Sequence, residues 1–397
     1  MKPQVFAFFS GAGFLDLGFE LSGYSIVFAN EYHEPFLRGY KHSRNVLGIP
    51  QPKFGWSNDS ITRFVEDKTE HKRLAKMVAT AKATGELVGF IGGPPCPDFS
   101  VGGKNRGRHG ENGKLSATYV DLICEQKPDF FLFENVKGLW RTKRHRAFFE
   151  ELKRKLHAAG YRTSEKLINC LNFGVPQDRE RIILVGFRDD SDNLCDEMEL
   201  EPEDFPWTRY EKYSHEYLAD VPWPSTKKFR EGRASPLPPG IPEELTVEHW
   251  FRRNDVKSHP NSRHQFQPRA GLARFKSVPE GDDSKKSFKR LHRWRYSPTA
   301  CYGNNEVHLH PYEARRITVA EALAVQSLPK SFELPSDMSL SDMFKTVGNG
   351  VPFLAAKALA KSILDFIKEH HASDGFKFAD RDSAATEKSR VQLYQPC

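Results

Sequence analysis

A cysteine flanked by prolines is the residue in this chain with the clearest chemical potential. Residues 92–100 read Gly-Gly-Pro-Pro-Cys-Pro-Asp-Phe-Ser and follow the apolar run 87–91, which is predicted to be a short buried strand that the glycines and prolines end abruptly. Cys96 is therefore expected at the carboxyl end of a strand, where open α/β sheets bind ligands. A thiolate there could act as a nucleophile. A cysteine that only packs within a proline-rich turn is the alternative.

Two glutamates also follow predicted strands. The run 129–133 ends in Glu134, and desolvation at such a strand end raises the pKa of a glutamate, which suits a proton donor. The strand predicted at 25–29 is followed by Glu31, which lies about 20 residues after a glycine turn. An acid at that position is typical of a ribose contact, and a solvated loop acid is the alternative.

The glycine turn itself joins a predicted strand to a predicted helix. Residues 5–9 and 15–21 have strand and amphipathic helix patterns, and Ser-Gly-Ala-Gly-Phe connects them. Such a turn lets main-chain amides approach a ligand closely. It lacks the third glycine of the dinucleotide-binding motif, so an ordinary tight turn is the alternative. A third strand could end at residues 58–61 and offer Asp59 to an adenine amino group.

Polar and cationic side chains cluster in two further segments. Gln177, Arg179 and Arg181 alternate in an extended segment before the strand predicted at 182–187, so they share one face. That face suits a polar planar substrate, although a surface charge ladder has the same pattern. The glycine-rich loop 101–110 could close over a nucleic acid or could simply be solvated. Its cations are Lys104, Arg106 and Arg108.

The composition sets limits on the class of protein. The 397 residues suffice for one large domain and a smaller one, and the formal net charge of +7 allows a polyanionic partner without requiring one. The six cysteines are far apart and form no Cys-x-x-Cys pair, so neither a metal site nor a disulfide framework is predicted. No apolar run could span a bilayer, and the first residues enter a strand pattern directly. We therefore expect a cytoplasmic protein.

Six motifs follow one another along the chain. They are Phe9-x-Gly11-x-Gly13, Pro95-Cys96, Glu134-Asn135-Val136, Gln177-x-Arg179-x-Arg181, the segment from Arg316 through Thr318 and Glu321 to Gln326, and Gly348-Asn349-Gly350-Val351-Pro352. In this order they resemble the motif set of the DNA cytosine-5 methyltransferases, and the resemblance covers residues 5–188 and 297–365. One departure is Pro97, because the family usually has a glutamine after the catalytic cysteine, and the contact made by that glutamine must be absent or replaced.

The resemblance implies site-specific methylation of cytosine C5 in double-stranded DNA with S-adenosyl-L-methionine as cofactor. Cys96 would add to C6 of a base flipped out of the duplex, while Glu134 would hydrogen-bond to N3 or protonate it. Arg181 would donate to O2, and Arg179 would support the site or a nearby phosphate. Loss of the C5 proton and expulsion of Cys96 would then release 5-methylcytosine.

The resemblance also assigns binding residues. The residues expected around the cofactor are Phe9, Gly11, Ala12, Gly13, Glu31, Tyr32, Asp59, Ser60, Ile61, Pro95, Leu115, Asn349 and Gly350. The residues expected to contact DNA are Ser100, Lys104, Arg106, Arg108, Gln177 and Thr299. No bound metal is expected.

The implied fold is α/β: a Rossmann-like methyltransferase with a mostly parallel sheet and helices on both faces, plus a smaller irregular target-recognition domain. Residues 1–188 would form the catalytic and cofactor-binding domain, and residues 189–345 the target-recognition domain. Residues 346–371 would be a helix that returns to the catalytic domain. Residues 372–397 are polar without periodicity and are predicted to be a flexible tail.

The region 189–299 favours DNA over RNA as the substrate. It combines prolines, cations and interleaved aromatic residues, which suits phosphate positioning and base reading, but the sequence does not identify the side chains that read bases. A transfer-RNA cytosine-5 methyltransferase and a non-catalytic DNA-binding relative are the alternatives, and the intact Cys96, Glu134 and Arg181 argue against the second. The expected partners are double-stranded DNA and a cognate restriction endonuclease that acts on the same site without direct contact. A monomer is expected.

Overall fold

The computed structural model describes residues 2–95, 111–189, 200, 204–268, 271–285, 287–302 and 307–371. The tail predicted at residues 372–397 lies outside the described residues. Across the described ranges, no helix combines the length and the apolar composition needed to cross a membrane. The predicted site residues that also lie outside them are Cys96, Ser100, Lys104, Arg106 and Arg108, together with Pro97.

One sheet lies at the centre of the described chain. Its seven strands are β1 (Gln4–Phe8), β2 (Ser25–Asn30), β3 (Trp56–Ser57), β4 (Val88–Gly92), β5 (Phe130–Val136), β6 (Tyr161–Asn169) and β7 (Glu180–Arg188). Their order across the sheet is β3-β2-β1-β4-β5-β7-β6. Neighbours from β3 to β5 pair in parallel, whereas β7 is antiparallel to both β5 and β6. The prediction of a mostly parallel sheet is confirmed.

The helices fall into an amino-terminal set that alternates with the strands and a later set that follows β7. The first set is α1 (Phe14–Glu20), α2 (Glu34–Val46), α3 (Arg63–Glu66), α4 (Lys68–Lys82), α5 (Glu111–Gln126), α6 (Lys137–Arg141) and α7 (Lys143–Ala158). The second set is α8 (His215–Asp220), α9 (Val247–Arg253), α10 (Leu272–Ser277), α11 (Val319–Val325), α12 (Leu340–Asn349) and α13 (Phe353–His371). The sequence did not predict α2, α3, α6, α8, α9, α10 or α12.

Apolar side chains pack on both sides of the sheet. In β1, Val5 and Ala7 belong to the cluster formed with α1 and α13, while Phe6 and Phe8 belong to the cluster formed with α4, α5 and α7. Successive side chains of a strand point to opposite faces, so a strand covered on both faces is apolar throughout. The prediction of helices on both faces is confirmed.

The last helix packs against the first. A Cβ atom added to Gly18 of α1 would lie 2.6 Å from the Cβ of Ala356 in α13, so glycine is needed for this close approach. A third apolar cluster, drawn mainly from residues 247–353, includes Phe14 of α1. Buried apolar contacts therefore join the chain after β7 to the amino-terminal elements. The division of the chain into the domains named above stays a prediction.

Candidate active site

A cavity of about 720 Å³ opens where β1, β2, β4 and β5 end. These ends meet at one edge because the strands are parallel: Phe8 of β1 is paired with Asn30 of β2 and with Gly92 of β4. Most of the predicted site residues within the described chain line this cavity. They are Phe9, Gly11, Ala12, Glu31, Tyr32, Ser60, Ile61, Pro95, Leu115, Glu134, Arg179, Arg181, Asn349 and Gly350.

Glu31 is fixed at the end of β2 by two main-chain donors. The N–H of Gly11 donates to Oε2 over 2.8 Å, and the N–H of His33 donates to Oε1 over 2.7 Å. Burial raises the pKa of Glu31 above its usual value of 4.5, and the two N–H groups act in the opposite direction. Because a carboxylate oxygen can accept two hydrogen bonds, each oxygen can still accept one from a ligand.

The turn after β1 holds a strained aromatic residue. Phe9 has φ 54, a left-handed conformation that is uncommon for a bulky side chain. Its ring lines the cavity and meets the ring of Tyr119 edge-on, with centroids 6.1 Å apart. Such strain persists where the surroundings fix it, which is typical of ligand-binding sites. The sequence predicted Phe9 as a site residue but gave no indication of this backbone conformation.

Glu134 and Arg181 form an ion pair in the cavity wall. Arg181 Nε lies 2.9 Å from Glu134 Oε1, and the two side chains are 12% and 9% exposed. Arg181 Nη1 also donates to the carbonyl of Glu180 over 2.7 Å. A Cβ atom added to Gly93 would lie 2.6 Å from Glu134 Oε2, so the small residue at the end of β4 leaves room for this carboxylate. The pair presents an acceptor and a donor side by side.

Arg179 forms hydrogen bonds to two segments of the cavity wall. Its guanidinium is fully buried and donates to the carbonyl of Gly348 over 2.9 Å and to that of Ala300 over 3.4 Å. Burial, assisted by the charge of Arg181, lowers the pKa of Arg179 to about 10. These contacts are those of a residue that positions the wall, and they fit the expectation that Arg179 supports the site.

Gln177 is buried among protein groups. Its side chain is fully buried, its Nε2 donates to Gln326 Oε1 over 3.3 Å, and its Oε1 accepts from the N–H of Ala300 over 3.1 Å. Gln326 Nε2 in turn donates to the carbonyl of Val347. Both ends of the Gln177 amide are therefore occupied within the protein, and the DNA contact of Gln177 stays a prediction.

Three other predicted residues do not line the cavity. Asp59 Oδ1 lies 2.5 Å from Arg63 Nη1, and Asp59 Oδ2 accepts from Ser57 Oγ, so its carboxylate is already engaged. Thr299 Oγ1 donates to the carbonyl of Asp178 over 2.6 Å. Gly13, at φ 80, lies where a side chain would collide with α2.

The cavity wall also contains residues that the sequence did not single out. Ser10, Asp16 and Thr346 are buried in this wall; hydrogen bonding by Ser10 and Tyr40 acts on the carboxyl of Asp16, whereas Thr346 Oγ1 has no hydrogen-bond partner within the described chain. Burial raises the pKa of Asp16 to about 7, against the lowering effect of Arg44. An acid inside the otherwise apolar start of α1 was a usable signal, and Thr346 lies just before the motif that contains Asn349 and Gly350. Cys301 also lines the cavity and is exposed.

Comparisons with known proteins point to one family. A family model described as C-5 cytosine-specific DNA methylase matches residues 4–365. The chain is 57% identical over 370 residues to the Type II methyltransferase M.NmeDI of Neisseria meningitidis serogroup C, which covers 93% of this chain and 85% of that protein. It is 28% identical over 375 residues to the Type II methyltransferase M.FnuDI of Fusobacterium nucleatum, with 92% and 95% covered. The crystal structure of an E. coli prophage DNA modification methyltransferase matches with a TM-score of 0.61 at 19% identity, covering 93% of this chain and 100% of that one, which supports the fold alone.

Proposed function

This chain belongs to the C-5 cytosine-specific DNA methylases and is a DNA cytosine-5 methyltransferase, and from that premise we propose how its residues act. The proposed substrate is a cytosine within a specific sequence of double-stranded DNA, and the proposed methyl donor is S-adenosyl-L-methionine. The assignment of residues rests on the pair of Glu134 Oε1 and Arg181 Nε, 2.9 Å apart in the cavity that Pro95 also lines. Pro95 is followed directly by Cys96 in the chain.

Cys96 is the proposed nucleophile. Its thiolate forms a bond to C6 of cytosine, and the electron density of the C5–C6 double bond shifts towards C5 and the ring heteroatoms. Arg181 donates to O2, and Glu134 in its protonated form donates to N3 or transfers its proton to it, so the two side chains serve two adjacent acceptor positions of the ring. The bound cofactor would supply the methyl group to C5 by cleavage of its sulfonium–methyl bond and would leave as a thioether. The C5 proton would then be lost to a base, any proton on N3 would return to Glu134, and the C6–S bond would break to restore the thiolate. A stacked base cannot reach these groups, so the target must be flipped out of the duplex.

The cavity suits S-adenosyl-L-methionine, which supplies an electrophilic methyl group when bound. Glu31 offers two carboxylate oxygens, which match the two hydroxyl groups of a ribose. Phe9 and Ile61 provide apolar surface in the same cavity. The buried oxygen of Thr346, which lacks a partner within the described chain, suits the polar amino acid part of the cofactor because buried polar groups require hydrogen-bond partners.

A covalent trap tests this function. Duplex DNA of diverse sequence, with 5-fluorocytosine at every cytosine, is incubated with the protein and S-adenosyl-L-methionine and separated on a denaturing gel. Fluorine at C5 cannot leave as a proton does, so an active enzyme stays attached. We expect a shifted band that requires the cofactor and is absent in Cys96→Ala. Cys301→Ala is the matched control because Cys301 is an exposed thiol in the cavity wall, and this variant should keep the band.

Other outcomes would favour other interpretations. A band that is lost in Cys301→Ala but kept in Cys96→Ala would make Cys301 the nucleophile. Trapping on fluorinated transfer RNA but not on DNA would favour an RNA substrate. DNA binding without any trapping would contradict catalysis.

We further propose that methylation protects a site from a cognate restriction endonuclease, because the relatives named above are type II methyltransferases. The enzyme would act as a monomer on DNA inside the cell. Plasmid DNA from cells that produce the chain should resist an endonuclease that cuts at the sequence recovered from the trapped DNA. Complete digestion of that plasmid would contradict the protective role.

A further inference from the structure

The structure separates the cations of the region 189–299 into two groups. Arg290 is 1% exposed and donates to the carbonyls of Val278 over 2.9 Å and Glu313 over 3.0 Å. Arg293 is buried, and its Nε lies 2.8 Å from Glu280 Oε1. These arginines hold the local fold together and have no surface to offer a nucleic acid.

Arg274 and Lys285 belong to the second group. Both side chains are exposed, and the charge of Lys285 acts on the nearby carboxyl of Asp282. Together with Asp282, Ser287 and Phe288 they line a concavity of about 110 Å³. Asp282 Oδ1 accepts hydrogen bonds from the N–H of Ser284 over 3.1 Å and from Ser284 Oγ over 2.6 Å. The wall therefore combines two cations with one carboxylate that is already hydrogen-bonded, which suits a phosphate group or the edge of a base.

Phe288 is strained, and two guanidinium groups lie near its ring. Its φ of 59 is left-handed, which is an outlier for an aromatic residue. The guanidinium of Arg274 lies 4.9 Å from the ring centroid and that of Arg316 lies 5.9 Å from it. Such strain is concentrated at functional sites. Stacking on the ring also restricts the rotamers of Arg274, which lowers the entropy cost of ordering this side chain in a complex.

The chain connects this surface to the catalytic cavity. Ser297 forms a β-bridge with Gln177, and Ala300, twelve residues after Phe288 in the sequence, lines the cavity. DNA whose target base enters the cavity must extend beyond it on both sides. A basic, aromatic surface on a segment that leads into the cavity wall is therefore a candidate contact for the flanking bases.

We propose that the surface formed by Arg274, Lys285, Ser287 and Phe288 contacts the recognition sequence in DNA. Arg274 reads a guanine, because the guanidinium presents two donors that match O6 and N7 in the major groove. Lys285 binds a phosphate as a point charge and fixes the register of the duplex. The inference rests on the proposed function, since it takes duplex DNA as the substrate.

The test compares Arg274→Ala, Arg274→Lys and Lys285→Ala with Lys72→Ala, which removes one charge from an exposed position on α4. Each protein methylates a library of randomised duplex DNA, and the methylated cytosines are mapped by bisulfite sequencing. Both Arg274 variants should lose about 5- to 150-fold of discrimination at one base pair near the target cytosine. Lys285→Ala should weaken binding to all sequences and reduce the slope of log K against log salt by about 1. Lys72→Ala should match the wild type in both measurements.

Thermal unfolding of each variant distinguishes a loss of folding from a loss of the DNA contact. If Arg274→Ala is unstable, Arg274→Lys still tests the reading role, because it keeps the positive charge. Folded Arg274 variants with a wild-type sequence profile would overturn the reading role, and an unchanged salt slope in Lys285→Ala would overturn the phosphate contact. If the wild type methylates nothing, the proposed function fails. The same variants would then be compared by sequencing the library DNA that each protein binds, so the surface is still tested.

Discussion

Replacing Glu31 with glutamine should weaken cofactor binding despite the small change in shape. Both oxygens of Glu31 accept a main-chain N–H, from Gly11 over 2.8 Å and from His33 over 2.7 Å. The remaining acceptor capacity of each oxygen is what we assign to the ribose hydroxyls. A glutamine must turn its NH₂ group towards one of these two N–H donors, since both positions face a donor.

The structure sets the size of the effect. The substitution removes one charge-assisted hydrogen bond to the ribose and brings two donors face to face. A hydrogen bond to a charged group contributes about 1.5–3 kcal/mol, so we expect a loss of about 2–3 kcal/mol. That corresponds to an increase of about 30- to 160-fold in the dissociation constant of S-adenosyl-L-methionine. Glu31 is only 9% exposed, so solvent screening reduces this loss little.

Isothermal titration calorimetry with S-adenosyl-L-methionine measures the dissociation constant directly. Glu34→Gln is the control, because Glu34 is exposed at the start of α2. A Glu31→Gln protein that is folded and binds within about threefold of the wild type would refute the ribose assignment. Because burial raises the pKa of Glu31, affinity of the wild type should begin to fall, as the pH decreases, above the range where an ordinary glutamate titrates. Glu31→Gln should not share that dependence.

Three further substitutions have definite expected outcomes. The pKa of Asp16 is raised from 3.8 to about 7, so its contribution to the free energy of unfolding falls as the pH rises through that range. Measured by urea unfolding, the free energy of unfolding of Asp16→Asn should therefore increase relative to that of the wild type by up to about 4 kcal/mol between pH 4 and pH 8. Equal pH profiles of the two proteins would contradict this. Gly350→Ala would bring a Cβ atom 2.2 Å from the ring of Phe14, so the free energy of unfolding should fall by about 1–3 kcal/mol, and an unchanged melting temperature would show that the ring can move. Arg179→Met would leave two buried carbonyls of the cavity wall without a donor, and we expect a loss of about 2–4 kcal/mol together with a lower kcat, whereas a fully active, equally stable variant would exclude the positioning role.

The strand ends could be predicted because local chemistry marks them. Apolar runs that stop at glycine, proline or an acid placed β1, β2, β4 and β5 correctly. The helix α2 was missed because its sequence, from Glu34 to Val46, is largely polar and lacks a continuous apolar stripe. The helix α12 was also missed: residues 346–371 were predicted as one helix, whereas α12 ends at Asn349 and α13 begins at Phe353.

Burial of the polar segment before β7 could not be predicted in the same way. The alternation of Gln177, Arg179 and Arg181 indicated that their side chains share one face, but it did not indicate which part of the chain packs against that face. In the fold, Ser297 forms a β-bridge with Gln177. The carbonyl of Ala300 accepts a hydrogen bond from Arg179, and the N–H of Ala300 donates one to the side chain of Gln177. That cover comes from a segment about 120 residues later in the sequence, and local patterning carries no information about contacts at such separation.

Arg181 meets Glu134 because of the register between β5 and β7. These strands run antiparallel, with Val136 opposite Arg181 and Glu134 opposite Ile183. Residues two apart share a face, so Glu134 and Arg181 are diagonal neighbours on one side of the sheet. A slip of one residue would turn Arg181 to the other face and leave the carboxylate without its cation. The proposed chemistry therefore depends on the antiparallel placement of β7 between β5 and β6. The spacing of residues within the motif of Glu134 or the motif of Arg181 does not specify that placement.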